Sequence, residues 1–113
     1  MKTEAIALQL YTLRALTAQN MEAALRQVAE IGYRAVELAG YGDLAPARLR
    51  EVLDRLGIKA VSAHVPLAQW ESDAPRVIEE MLTLGCEYAV VPWLPEERRG
   101  AQALTELASS FNL

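Results

Sequence analysis

Three glycines set the frame for this chain. Gly32, Gly57 and Gly85 stand 25 and 28 residues apart, inside EIGYRAVELAG from Glu30, RLGIKAVSAHV from Arg55 and TLGCEYAVVPW from Thr83. Each phrase runs from an apolar residue through glycine to a strand-like Ala-Val. A period of this length marks a repeated supersecondary unit.

The unit can be read in physical terms. Ahead of each glycine, apolar residues recur at helical spacing: Met21, Ala24, Leu25, Val28 and Ile31; Leu49, Val52, Leu53 and Leu56; Val77, Ile78, Met81 and Leu82. A glycine after the last periodic residue caps a helix in the left-handed conformation, where a Cβ is penalised. Helix starts are marked by Asn20, by Asp43 with Pro46, and by Ser72 or Asp73 with Pro75. A fourth helix follows Pro95, with Leu104, Leu107, Ala108 and Phe111 on one face. Strands are expected at residues 6–11, 35–38, 60–64 and 89–92. The order is then β-α-β-α-β-α-β-α, which implies right-handed crossovers and a parallel sheet. No linker or low-complexity tract divides residues 1–113, so they form one domain.

Side chains alternate across a strand. One face carries Ile6, Leu8, Leu10, Val36, Leu38, Val61, Ala63, Val65, Tyr88 and Val90, and should meet the helices. The other starts from Ala7, Ala35, Ala60 and Ala89 and turns polar or aromatic with Gln9, Tyr11, Glu37, Ser62, His64 and, past Val91, Trp93. A sheet covered on both faces would be apolar on both. A second face that is small and then polar fits a barrel interior, with its polar groups at the C-terminal strand ends where α/β proteins place ligands. His64 is the only histidine in the chain. A lone histidine is often just a hydrogen-bonded core residue. Gln9 and Glu37 at matching depth on neighbouring strands argue for a pocket instead.

Composition narrows the function. A net charge of -4 and a single basic doublet, Arg98-Arg99, disfavour nucleic acid and anionic membranes. The first residues, MKTEAIALQLYTL, are too short and polar for a signal peptide or membrane span. The single cysteine, Cys86, allows no disulfide within the chain and fits a reducing cytoplasm; it reads as a small structural residue. A flavodoxin-like or Rossmann fold is the runner-up architecture; the chain lacks G-x-G-x-x-G, and GYGD at residues 40–43 is only a G-x-G, so dinucleotide binding is not expected.

LQLYTLR (residues 8–14), IGYRAVELAGYG (31–42) and GIKAVSAHVPL (57–67) together resemble the opening of the xylose isomerase-like TIM barrels. This group holds sugar phosphate isomerases and epimerases, inosose dehydratases and the endonuclease IV branch. The resemblance implies an eight-stranded barrel acting on a small sugar or polyol, with a divalent metal (Mn, Mg, Zn or Co) at its mouth. It implies catalytic roles for Glu37 and His64, with Trp93 at the mouth, and Gln9 and Tyr11 lining the pocket. A complete barrel of this type needs about 250 residues, whereas this chain has 113. It corresponds to the N-terminal half, four β-α units. The family's metal ligands come mainly from later strands, so the chain alone is expected to hold no metal. Three outcomes stay open for such a half barrel: two chains close an eight-stranded barrel as a homodimer, the sheet stays open and associates otherwise, or the chain is cut from a longer one. The ending ASSFNL, apolar along one face to its last residue, favours a cut. A non-catalytic assembly module is the alternative to an enzyme half.

Overall fold

The computed structural model describes residues 6–112; the readings of the first five residues and of the end at Leu113 lie outside it. Four strands, β1 (Ala7–Gln9), β2 (Ala35–Ala39), β3 (Lys59–His64) and β4 (Tyr88–Val90), pair in the order β1-β2-β3-β4. All three pairings are parallel. Helices α1 (Arg14–Gln19) and α2 (Met21–Ile31) connect β1 to β2. Helix α3 (Pro46–Leu56) connects β2 to β3, α4 (Leu67–Leu84) connects β3 to β4, and α5 (Ala101–Phe111) ends the described chain. Right-handed crossovers that always advance the same way leave their helices on one face. The order lacks the reversal that lets a doubly wound sheet carry helices on both faces.

The repeated glycines act as the spacing suggests. Gly32, Gly57 and Gly85 have φ of 116°, 69° and 74°. At each, the glycine N–H and the next N–H reach back into the last helical turn, as in Gly57 to Asp54 and Ile58 to Leu53. These paired bonds satisfy carbonyls the helix end would otherwise leave open. Asn20 caps α2 by accepting from the Ala23 N–H at 3.0 Å. Asp43 departs from its expected role at the start of α3: its carboxylate accepts from the Met21 N–H at 2.9 Å, adding a second cap to α2. Asp73 does open a helical segment. It breaks α4 with φ −159° and ψ 73°, and its carboxylate accepts from the Arg76 N–H. A helical stretch from Leu67 precedes that break, which the pattern did not reveal.

The core fills the space between the sheet and α2, α3 and α4. Val36, Leu38, Ala63 and Val65 pack there with Leu25, Val28, Leu49, Val52, Leu53, Val77 and Met81. Period-2 reading places most of the sheet correctly and fails twice. The register between β2 and β3 slips: Val36 opposes Ala60, but Glu37 opposes Ser62. Val61 is the extra residue, so Ala60 joins the core and Val61 stays out of it. On β4, Tyr88 and Val90 stand in register with Ser62 and His64, on the polar face and not on the helix face. A short edge strand with apolar residues on both sides carries no pattern to fix its register. The helix stripes also narrow, since Ile31, Ile78 and Leu82 are exposed, and in α5 only Leu107 is buried.

Candidate functional site

Gln9 ends β1, Glu37 is central in β2, and Ser62 and His64 occupy the last half of β3. Parallel register sets Gln9 beside Glu37 and Glu37 beside Ser62. Because side chains in register on a parallel sheet share a face, three strands deliver four polar side chains to one point.

Glu37 is the hub. Gln9 Nε2 donates to its Oε1 at 2.7 Å, and Ser62 Oγ donates to its Oε2 at 2.6 Å. His64 Nε2 lies 2.9 Å from the same Oε1. Gln9 Nε2 is also 3.4 Å from His64 Nε2. One ring nitrogen cannot both donate to Glu37 and accept from Gln9, and the Glu37 contact is the shorter. We assign the proton to Nε2 on that ground, which leaves Nδ1 with the lone pair in the neutral ring. Hydrogen bonds from Gln9 and then Ser62 hold the Glu37 carboxyl below its ordinary value of 4.5; partial burial pulls the other way, and the contact with His64 adds to the lowering. Glu37 is therefore an anion at neutral pH, and a carboxylate that orients an imidazole makes a proton-transfer pair.

The pair does not fit a metal centre by itself. Both carboxylate oxygens are engaged, His64 Nε2 faces Glu37, and among the described residues no group of three His, Cys, Asp or Glu side chains converges. Zinc sites of the catalytic kind take three protein ligands, and harder cations take more.

Tyr11 and Trp93 make no hydrogen bond to this cluster among the described residues. Tyr11 belongs to a 3-10 turn, Leu10–Leu13, not to a strand, and the Arg14 guanidinium lies 4.3 Å from its ring centroid. Trp93 sits beyond β4 with the Arg99 guanidinium at 5.4 Å from its ring. It borders an apolar groove of about 470 Å³ with Pro66, Leu67, Ala68, Pro92 and Pro95, closed at the rim by the Arg98–Glu71 ion pair at 2.9 Å. The groove begins at Pro66, two residues past His64 in the chain, and none of the four cluster residues lines it. Sequence reasoning turned Ser62 inward but missed that it holds Glu37. Its place two residues before His64, on the same face, was the available signal.

A larger hollow of about 560 Å³ opens at the other end of the sheet, lined in part by Arg34, Arg50, Asp54, Gly57, Lys59 and Gly85. It lies where α3 and α4 present their C-terminal carbonyls, an end that attracts cations for structural reasons. Arg50 is held by Asp54 and the Thr83 carbonyl, and Lys59 by Glu87. We assign it no ligand. Burial pushes the Cys86 thiol up to about 11, which suits a structural residue and not a nucleophile. No helix among the described residues is long and apolar enough to cross a membrane. The sequence matches no protein-family model and no curated protein.

Proposed function

We propose that this chain is the N-terminal half of a barrel enzyme that isomerises, epimerises or dehydrates a small sugar or polyol, and that it is inactive until the barrel is completed. The observation that carries the reading is Glu37, held by Gln9, Ser62 and His64 at the strand ends of a parallel sheet. The sequential strand order and the helices on one face support the barrel.

In this reading His64 moves the proton. Its neutral Nδ1 takes a proton from a carbon beside the substrate carbonyl, and the ring becomes an imidazolium whose Nε2–H faces the Glu37 carboxylate. In dehydration the same nitrogen gives the proton to the hydroxyl that leaves the neighbouring carbon as water. In isomerisation it gives it to the former carbonyl carbon, while the hydroxyl proton passes between the two enediol oxygens. Epimerisation needs a donor on the opposite face, from the completing half of the barrel. Glu37 keeps the ring's orientation and offsets its charge, while Gln9 and Ser62 keep Glu37 ionised. Trp93 and the groove it borders, past the end of β3, would receive the less polar side of the substrate. A divalent cation enters the proposal only for the complete barrel.

The open sheet face favours a second reading, a non-catalytic module that self-assembles. One titration separates them. His64 is the only histidine, so its imidazole resonances are unambiguous in NMR. Adding a ketopentose or an inositol over the millimolar range typical of small-substrate KM values, about 1 mM and below, is expected to shift them. The shift should vanish in Glu37→Gln. In the enzyme reading the Glu37–His64 half-site binds the polyol even though turnover awaits the complete barrel, so no shift with either compound contradicts it.

A further inference from the structure

All-parallel sheets occur almost only with both faces covered. Here the core lies on one face. On the other, Tyr88 is 66% exposed in register with Ser62, and Ala7 is exposed as well. β1 and β4 are the terminal strands, so each leaves one row of backbone groups unpaired. Apolar surface is uncovered beside the β1 edge and on α4. Beside β1, Ile6, Ile31, Gly32 and Tyr33 line a hollow of about 250 Å³. On α4, which leads into β4, Ile78 and Leu82 are 51% and 76% exposed.

We propose that a second copy of this chain covers the open face. A two-fold axis along the strands pairs β4 of each copy with β1 of the other, and eight parallel strands close. The two edges complement one another within the sheet: each lacks a parallel neighbour, and β1 is flanked by an apolar hollow that an added neighbour would fill. The order β1-β2-β3-β4 lets a partner's β1 continue the progression past β4. Charge permits the approach. Of the charged groups on the covered face, Glu37 is already met by His64, Gln9 and Ser62, and Lys59 is paired with Glu87. The mouth then carries two Glu37–His64 pairs, each with its Gln9 and Ser62, and the ligand site is incomplete in one copy. The ligand class is the polyhydroxylated molecule of the reading above, on which this part of the inference rests.

The test is sedimentation of the purified 113-residue chain with cysteine crosslinking in a Cys86→Ser background. The expected result is one discrete species at twice 12.5 kDa. Ala7→Cys chains mixed with Tyr88→Cys chains should join through a short bismaleimide, while chains with the same substitution should not join to each other, because like strands stand across the barrel. Tyr88→Asp, at a site already exposed in one copy, should keep its circular dichroism and sediment as a monomer. A monomeric parent chain, open-ended aggregates, or crosslinks between like sites overturn the proposal. A monomer whose His64 resonances still respond to polyol removes the dimer and leaves the function; a dimer without that response removes the function alone.

Discussion

At the scale of single residues the chain concentrates its chemistry on one carboxylate. Glu37 takes hydrogen bonds on both oxygens and faces the only histidine. Because its folded pKa lies below the ordinary 4.5, its contribution to stability is fully present above about that value and is lost as pH falls through the lowered one. Glu37→Gln should therefore cost about 1.5–3 kcal/mol at neutral pH, the scale of hydrogen bonds to a charged group, toward the lower end because the pair is partly solvated. It should also flatten the acid limb of stability, below the ordinary carboxyl value of 4.5. Urea unfolding at neutral pH and below that value reads both effects. An unchanged acid limb would mean that the carboxyl is not held down. The type and strand of Glu37, Gln9 and His64 could be read in the sequence because Gln9 and Glu37 lie on strands whose alternation is clean and His64 on the regular stretch of β3 that follows Val61. Tyr11 could not, since the chain leaves β1 at Gln9 and coils into a turn before Tyr11 can continue the strand.

At the scale of elements, the glycine-capped helices and the four strands follow from pattern alone, because a left-handed C-cap and an apolar stripe are local signals. What escaped is set by tertiary context. The extra residue at Val61 and the register of β4 depend on pairing partners, and the cap that Asp43 gives α2 spans 22 residues of sequence. Positions that look alike in sequence should also differ in tolerance. At Gly57, with φ 69°, a methyl group in place of the hydrogen would have only the flexible Arg34 guanidinium nearby, at 3.7 Å. At Gly42, with φ 64°, the same methyl would run into the Thr17 backbone carbonyl and press against Met21. Gly57→Ala should cost about 1 kcal/mol, the left-handed penalty. Gly42→Ala should cost clearly more, toward the upper end of about 1–3 kcal/mol for stored backbone strain. Equal losses in thermal unfolding would contradict the close approach of the 40–44 loop to α1.

At the scale of the whole molecule, the described chain is elongated, with extents of 46 × 29 × 25 Å. Helix α5 is held chiefly by buried Leu107 and by an edge-on contact of Phe111 with Trp70 at 6.5 Å. One sheet face is packed and the other is open, and the polar cluster lies on the open one. Composition and periodicity indicated an uncovered, partly polar face, but not which side chains would meet there, because meeting depends on register between strands. That convergence is the central claim, and it holds only if the parallel order is right: Glu37 and His64 are 27 residues apart and belong to different strands. A double-mutant cycle of Glu37→Ala and His64→Ala, measured by urea unfolding near neutral pH, tests it most directly. Residues in contact in one network couple by about 0.5–3 kcal/mol, and for this partly solvated pair we expect the lower part of that range. Additive losses, with no coupling, would mean that the strands do not bring the two side chains together.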